Sequence, residues 1–290
     1  MPELPDLRIL QEAFQAALVG REMAAWSAPQ TLVVRGTRAE AAALIGQRLE
    51  SVAHRGKFLT FRFSAGDRVV VNAMLTGRLG LARPGTKPLP QTAVVVTFGP
   101  RAKIPRGTAT WTRRADWLPP NGEAIELRYR DPLKMGKVYL LPKGMERPVA
   151  GWDDQGPDID DPGLDLRMWR DRIAKHSGEI KNLLKNQSFV AGIGNGYSDE
   201  ILWAAGLAPF RKRSSLAPEE VEDLYRAARD VPEWAIGELR VRVPPRFEVE
   251  VRDFLNVHRK GGSACPRCGS TLSEVSPGGF VTTWCRSCQR

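Results

Sequence analysis

The sequence predicts an α+β protein with more than one domain, and three observations carry this prediction. Its 290 residues exceed the length of one average domain. Short strand-like runs fill most of the first half of the chain, whereas helix-type spacing fills much of the second half. Four cysteines close the chain at regular spacing. We therefore expect a helix packed on a β-sandwich, then a helical domain, then a small ribbon.

The first element is a predicted helix over residues 5–18. Leu7, Leu10, Phe14 and Leu18 recur at steps of three and four, which gives the helix one apolar face. This face should pack on a core while the residues before the helix stay at the surface.

Short β-type runs follow the helix. Turn residues such as Gly36, Gly56 and Gly77 separate them. Several short strands with such turns favour a β-sandwich over a parallel α/β sheet. The predicted strands cover residues 31–35, 48–53, 57–63, 68–73, 92–98, 124–130 and 137–141.

The second half of the chain changes character. Residues 142–162 are rich in Gly, Pro and Asp and lack hydrophobic periodicity, which indicates a linker. Pro232 is expected to kink or break the last of the predicted helices. These helices cover residues 164–175, 179–186, 197–205 and 218–239. The predicted domains are 1–145, a linker 146–163, a helical domain 164–260 and a ribbon 261–290.

A glycine-rich turn joins the second and third of these helices. Gly192, Gly194 and Gly196 allow a ligand to approach the backbone closely, and the Asn195 side chain can donate a hydrogen bond. Turn amides and helix N-termini of this kind can point at a phosphate. The alternative interpretation is an ordinary tight connection.

The cysteine spacing predicts a metal site. Cys265-x2-Cys268 and Cys285-x2-Cys288 are separated by 16 residues, which is the arrangement of a four-cysteine zinc ribbon. Because the protein fills all four positions, one structural Zn²⁺ is expected. A pair of disulfides or an iron site are the alternatives.

Charge points to a polyanionic partner. The formal net charge is +10 and the sequence pI is about 9.8. A membrane surface would be the competing partner, but the sequence contains no apolar run of 18 residues. The start of the chain does not resemble a secretion signal, so we expect a cytoplasmic protein.

Residues 99–122 mix basic residues with tryptophans and are interpreted either as a nucleic-acid clamp or as a solvated hairpin.

The first residues offer a candidate nucleophile. If Met1 is removed, Pro2 presents a secondary amine, and N-terminal amines have a reference pKa of about 7.7–8.0. Such an amine can attack an electrophilic carbon and form an iminium. Glu3 is close enough in sequence to donate or accept a proton. Alternatively, these residues only lead into the helix.

Together these motifs resemble the Fpg/Nei family, the formamidopyrimidine-DNA glycosylases and endonucleases VIII. The resemblance spans nearly the whole chain in the family's order. It rests on Met-Pro-Glu-Leu-Pro at residues 1–5, His-Arg-Gly-Lys-Phe at 54–58, Gly-Ile-Gly-Asn-Gly-Tyr-Ser-Asp-Glu-Ile-Leu at 192–202, and the terminal four-cysteine ribbon.

This resemblance implies a fold and a reaction. The fold would be an N-terminal helix on an antiparallel β-sandwich, then a helix-two-turn-helix domain with a zinc finger. The protein would be a bifunctional glycosylase and abasic-site lyase of base excision repair. Pro2 would attack C1′ of a damaged nucleotide, and Glu3 would protonate the sugar ring oxygen. Lys57 and Asn195 would grip phosphates of double-stranded DNA that carries a damaged base or abasic site.

The departures from the family pattern concern lesion reading. Asp6 is a shorter carboxylate than the usual Glu in the lesion pocket. Leu75 would fill the gap left by the flipped nucleotide, and Leu133, beside Lys134 and Met135, stands where an arginine usually meets the opposite base. In the zinc hairpin, Phe280 stands where an arginine usually contacts phosphate. Residues 240–250 are too few for the lesion-capping loop of the 8-oxoguanine enzymes.

These departures favour an enzyme with intact cutting chemistry and an unusual or broadened substrate, acting as a monomer in a bacterial-type nucleoid. Two other function classes stay open at this point. One is a non-catalytic member of the same fold that senses damage or DNA structure. The other is a zinc-ribbon nucleic-acid module of translation or transcription, which would leave the N-terminal motif unexplained.

Overall fold

The structure is a computed structural model that describes residues 1–103, 117–118 and 120–290. It divides into two compact units. The first unit contains Met1–Ala150 together with Leu239–Val251, and the second contains Gly151–Glu238 together with Arg252–Arg290. Among the helices of the described residues, none combines the length and apolar character needed to cross a bilayer.

The described residues of the first unit form two sheets and two α-helices. One sheet has the strand order β2-β9-β5-β4-β3 and the other β1-β7-β8-β6. The elements are α1 (Leu4–Leu18), β1 (Met23–Ser27), β2 (Val34–Arg35), α2 (Arg38–Ala43), β3 (Leu49–Arg55), β4 (Phe58–Phe63), β5 (Arg68–Asn72), β6 (Arg78–Ala82), β7 (Thr92–Phe98), β8 (Ile125–Arg130) and β9 (Lys137–Leu141).

Both sheets contribute apolar side chains to one core. Phe61 and Phe63 of β4 line the same internal cavity of about 30 Å³ as Phe98 of β7 and Leu127 of β8. The pairs are antiparallel except for β2 with β9, which pair in parallel over two residues. The predicted antiparallel β-sandwich is therefore confirmed, with this short parallel pair added.

Helix α1 lies on the sheet that contains β3 and β4. The predicted apolar face is buried, including Leu7, Leu10 and Phe14. Two buried arginines satisfy backbone carbonyls of its last turns: Arg21 donates to the Ala17 oxygen and Arg101 to the Ala16 and Val19 oxygens. Burial lowers the pKa of the Arg101 guanidinium to about 10, and the neighbouring Arg21 adds to this effect.

Three elements of the first unit were not predicted. Strand β6 contains Gly80 and follows Gly77, so the stretch resembles a turn in sequence. Strand β1 exposes most of its residues and has little alternation. Helix α2 begins with a capping box between Thr37 and Glu40, a readable signal. The predicted strand 31–35 is a strand only at Val34–Arg35, because Thr31–Val33 form a 3₁₀ turn.

The second unit is mainly helical, as predicted. Its elements are α3 (Leu166–Ile173), α4 (Ile180–Lys185), α5 (Asn195–Ala204), α6 (Pro218–Arg242) and the hairpin strands β10 (Ser273–Val275) and β11 (Thr282–Trp284). The unit boundary falls inside α6, because Leu239 and the residues after it belong to the first unit. Of the kink or break predicted at Pro232, the break does not occur, since α6 continues through Pro232 to Arg242.

Candidate active site and nucleic-acid interface

A small pocket lies beside the N-terminal end of α1. Pro2 and Asp6 line it together with Arg78 from the start of β6 and Glu250 from the returning segment. Its apolar wall comes from Leu10, Leu79, Val243, Phe247 and Val249. Pro2 and Glu3 are buried, so the prediction that the residues before α1 stay at the surface is wrong. Glu3 is the N-cap of α1, and Pro2 directly precedes it.

Local backbone chemistry explains why α1 begins at this point. The Glu3 amide donates to the Asp6 carboxylate at 2.8 Å, which satisfies one of the amides that the first helical turn leaves unpaired. Asp6 therefore caps the helix and lines the pocket at once. A carboxylate is also favoured at a helix N-terminus by the helix dipole.

The Asp131 loop and the neighbouring Met74–Thr76 loop present the apolar side chains that the sequence singled out. Leu133 is 64% exposed, Leu75 is 42% exposed and Met135 is 37% exposed. Lys134, also exposed, adopts a left-handed backbone with φ of 55°. Exposed apolar side chains in such positions are typical of wedges inserted between DNA base steps.

One buried carboxylate ties these two loops together. Asp131 accepts hydrogen bonds from the Thr76 hydroxyl, from the Tyr129 hydroxyl at 3.0 Å and from the Gly136 amide at 2.7 Å. Burial, together with the Asp131 charge, raises the pKa of Tyr129, so the phenol stays a donor. The apolar side chains are thus carried on loops with a fixed backbone.

Close packing makes the loops intolerant of side chains at two glycines. A Cβ on Gly136 would lie 1.9 Å from the Tyr129 hydroxyl, and a Cβ on Gly77 would lie 2.3 Å from the Ala73 oxygen. The Lys137 ammonium donates to three carbonyls of the Asp131 loop, at 3.0 to 3.3 Å. Sequence reasoning identified the exposed side chains but missed this internal scaffold.

Lys57 sits in the two-residue turn that joins β3 to β4, where Arg55 pairs with Phe58. Gly56, the other turn residue, has φ of 53°. The tight hairpin holds the half-buried Lys57 at the end of two paired strands. The hairpin therefore holds Lys57, which is predicted to contact a phosphate, in a defined position.

In the second unit, the predicted glycine-rich turn leads directly into α5. Gly194 is the N-cap and Asn195 is the first helical residue. The Asn195 amide donates to the Val281 oxygen of the ribbon hairpin at 2.7 Å, whereas its buried Oδ1 has no hydrogen-bond partner among the described residues. An amide nitrogen carries two N–H groups, so this contact uses one of the two donors.

A buried ionic network holds the hairpin strand β11 against α4 and α5. Asp199 accepts from the Lys181 ammonium at 2.6 Å, from the His258 ring at 2.7 Å and from the Thr283 amide at 3.2 Å. Lys181 also donates to the Thr282 hydroxyl at 2.7 Å. No sequence signal marked this network, because its hydrogen-bonded pairs are up to 101 residues apart.

The four cysteines cluster as predicted. The Sγ atoms of Cys265 and Cys288 lie 4.0 Å apart, and those of Cys268 and Cys285 lie 3.5 Å apart. All four sulfurs lie within 4.8 Å of one another. Tetrahedral Zn–S bonds of about 2.3 Å place sulfurs roughly 3.8 Å apart. The donor set and its spacing therefore fit a metal of that kind.

Phe280, at the end of the ribbon loop, is 55% exposed, and the Lys185 ammonium lies 5.4 Å from the centre of its ring. This is a cation–π distance. Phe280 thus presents an aromatic face with a cation beside it.

The basic segment 99–122 is only partly described. Its Arg101 is buried against α1 and is structural, so the interpretation as a DNA-contacting residue is wrong for this arginine. Trp117 packs on Phe247 with ring centres 4.8 Å apart. Arg106, Trp111, Arg113 and Arg114 lie outside the described residues.

Comparison with family models matches both parts of the chain. Residues 1–138 match the formamidopyrimidine-DNA glycosylase N-terminal domain, and residues 155–242 match the formamidopyrimidine-DNA glycosylase H2TH domain. The two matches together cover more than half of the sequence.

Curated relatives agree along the full length. A protein of Thermomicrobium roseum named formamidopyrimidine-DNA glycosylase is 30% identical over 302 aligned positions, covering 100% of this chain and 99% of that protein. One of Geobacillus kaustophilus with the same name is 30% identical and covers 100% of both chains.

Solved structures share the fold. The Lactococcus lactis Fpg bound to DNA containing an abasic site superimposes with a TM-score of 0.83 at 22% identity, over 99% of each chain. MutM in complex with DNA containing carbocyclic 8-oxo-G gives a TM-score of 0.82 at 23% identity, over 100% of each chain. With both domain models and full-length relatives in agreement, the chain belongs to the Fpg/Nei family of formamidopyrimidine-DNA glycosylases.

Proposed function

We propose that this protein is a bifunctional DNA glycosylase and abasic-site lyase that acts on double-stranded DNA carrying a damaged base. The observation that carries the proposal is the pocket beside α1, where Pro2 meets three charged side chains in a chain of this family. Residues 1–145 would hold the chemistry, and residues 164–260 with the ribbon 261–290 would bind DNA.

The proposed reaction starts from the Pro2 amine after Met1 is removed. Its lone pair forms a bond to C1′ while the bond from C1′ to the damaged base breaks, and the base leaves with that electron pair and takes up a proton. Glu3 protonates the ring oxygen as the sugar opens, which leaves an iminium between Pro2 and C1′. Loss of a proton from C2′ expels the 3′ phosphate, and a second elimination expels the 5′ phosphate.

Reaching C1′ requires the nucleotide to leave the base stack, which costs a few kcal/mol. Lys57 and Asn195 are proposed to offset part of this cost by gripping phosphates. Leu75 would occupy the gap, with Leu133, Lys134 and Met135 against the opposite strand and Asp6 in the lesion pocket.

The apolar character of Leu133 affects which base is tolerated opposite the lesion. A leucine side chain has neither donors nor acceptors for a base edge, so Leu133 cannot select one base by hydrogen bonding. We propose that the enzyme removes its lesion with little dependence on the opposite base.

Cys265, Cys268, Cys285 and Cys288 would hold one Zn²⁺. Because four thiolates complete a tetrahedron, the ion would stabilise the ribbon and take no part in bond breaking. It would act on DNA only by fixing the hairpin that carries Val281 and Phe280.

Borohydride trapping on DNA with an abasic site tests the proposal. Protein whose free Pro2 terminus is verified by mass spectrometry should form a covalent adduct, because borohydride reduces an iminium to a stable amine. Pro2→Gly should reduce trapping strongly, whereas Lys134→Ala should retain it. Protein with a verified Pro2 terminus that gives no adduct would contradict the enzymatic function and favour a DNA-binding role without cutting.

A further inference from the structure

The segment of residues 243–250 returns to the first unit and forms one wall of the N-terminal pocket. Phe247, which is 4% exposed, packs on Phe14 of α1 with ring centres 6.1 Å apart. Just before the segment, Arg240 makes a two-pronged ion pair with Glu12 of α1, at 2.7 and 3.0 Å. The wall is therefore anchored by packing and by charge.

The end of this wall carries a carboxylate that faces the start of the chain. Glu250 forms an ion pair with the Arg78 guanidinium, and its Oε2 lies 3.9 Å from the α-amino nitrogen of Met1. Arg78 is held in turn, since it donates to the Gly77 oxygen at 2.8 Å and to the Leu75 oxygen at 3.2 Å. The carboxylate is thus fixed beside the terminal amine by a residue rooted in the Leu75 loop.

Pro2 lies in the same charged pocket as Met1's partner Glu250. Pro2 lines the same pocket as Arg78 and Glu250, so the amine exposed by processing belongs to the same charged surroundings. Glu3 and Asp6 on α1 are the other acidic groups that act on the terminal amine.

These charges act in opposite directions. In the chain that retains Met1, burial is the largest influence on the Met1 α-amine and lowers its pKa; Arg78 lowers this pKa further, and Glu250, Glu3 and Asp6 raise it. The net pKa lies below the ordinary value for an N-terminal amine. Of the three carboxylates, Glu250 has the strongest influence.

We propose that Glu250, held by Arg78, is a positioning residue that orients the terminal amine in the pocket. This inference rests on the proposed function, because it concerns the same amine. A carboxylate beside the amine stabilises the ammonium form and fixes its direction by attraction. Arg78 draws on the same carboxylate and so limits that stabilisation.

The test is the pH dependence of borohydride trapping on abasic-site DNA, compared between the intact protein and Glu250→Gln. Without the carboxylate, the ammonium loses a stabilising partner, so the midpoint of the pH profile should move down by about one unit. Below that midpoint the variant should react up to about tenfold faster than wild type. At high pH its limiting rate should fall, because the amine is less well oriented.

Two variants control the comparison. Glu248→Gln removes a carboxylate from the same segment, beside Gly80 and away from the amine, and should leave the profile unchanged. Glu250→Asp keeps the charge and should keep the midpoint near that of wild type. Melting temperatures of all variants report whether the fold is intact.

The outcomes separate the two proposals. Absence of adduct with wild-type protein, Pro2 terminus verified, contradicts the proposed function itself. Normal trapping by wild type with an unchanged midpoint and limiting rate in Glu250→Gln overturns the role of Glu250 alone. A fall in limiting rate shared by Glu248→Gln would show a general effect of the segment and would also overturn it.

Discussion

Two buried aspartates, one in each unit, organise the candidate DNA-contacting loops by different chemistry. Asp131 accepts hydrogen bonds from neutral groups, two hydroxyls and an amide. Asp199 accepts from the Lys181 ammonium and the His258 ring as well as an amide. The first arrangement spreads one negative charge over polar donors, whereas the second matches it with a cation in a buried place.

The different partners of Asp131 and Asp199 correspond to different ways of fixing the loops around them. The loops around Asp131 present apolar side chains; Asp131 fixes their backbones through neutral donors, and the Lys137 ammonium adds hydrogen bonds to the loop carbonyls. The hairpin around Asp199 is held by a buried ion pair, which stabilises it strongly only while both partners are present. Two devices hold this hairpin, the ionic network and the cysteine cluster.

Metal removal should have the largest effect, and it should act on the hairpin around Asp199. Structural zinc in small fingers contributes apparent free energies of about 10–16 kcal/mol, so chelation should unfold the ribbon and weaken DNA binding. Circular dichroism and DNA affinity with and without chelator measure this. Unchanged ribbon structure and binding after verified metal loss would show that the Asp199 network suffices alone.

Lys181→Met should destabilise the protein by about 3–5 kcal/mol, because it leaves the Asp199 charge without its ammonium partner in a buried site. Urea unfolding of the intact chain measures the loss. Lys185→Met, on the same helix, removes a partly exposed ammonium and should change stability by less than about 1 kcal/mol. Equal effects of the two variants would contradict the buried pairing.

Asp131→Asn should lower the free energy of unfolding by about 2 kcal/mol. The Asn NH2 group would face groups that are themselves hydrogen-bond donors, so at least one buried group would be left unpaired. Tyr129→Phe removes one hydrogen bond and should cost about 1 kcal/mol. Both are measured by urea unfolding. If Tyr129→Phe were as damaging as Asp131→Asn, the phenol and not the carboxylate would be the centre of the scaffold.

Leu133→Arg should change the free energy of unfolding least, because Leu133 is 64% exposed, and its effect should be confined to the choice of opposite base. An arginine can donate to a base edge, and such contacts discriminate between bases by about 1–3 kcal/mol. Single-turnover rates on one lesion opposite each of four bases should spread apart in the variant and stay close together in wild type. A strong opposite-base preference in wild type would disprove the apolar-wedge interpretation.

Local signals in the sequence predicted much of the fold. The spacing of Leu7, Leu10 and Phe14 gave α1, and the two Cys-x2-Cys pairs predicted the cluster, because short-range periodicity and fixed ligand spacing are properties of neighbouring residues. Strand β6 was missed because Gly80 weakens strand preference and only pairing with β8 restores it. Pro232 does not break α6, which continues through it although proline lacks the backbone donor of one helical hydrogen bond.

The site was predicted less completely. The family resemblance placed Pro2, Glu3 and Lys57, and the structure adds the elements that carry them. The Arg78–Glu250 pair joins residues 172 positions apart, and Thr76 meets Asp131 across 55 positions. Such contacts depend on sheet register and on where a returning segment packs, which one sequence does not reveal. The roles of Pro2, Lys57, Asn195 and Leu133 stay predictions.

The return of Leu239–Val251 to the first unit also has a consequence for biosynthesis. A ribosome releases residues 1–150 first, yet Phe247 and Glu250 leave it about a hundred residues later. The β-sandwich can begin to fold early, but its pocket lacks a wall until almost the whole polypeptide has emerged. A nascent chain would therefore carry an incomplete nucleophile pocket, and premature termination before residue 247 would release fragments that cannot assemble it.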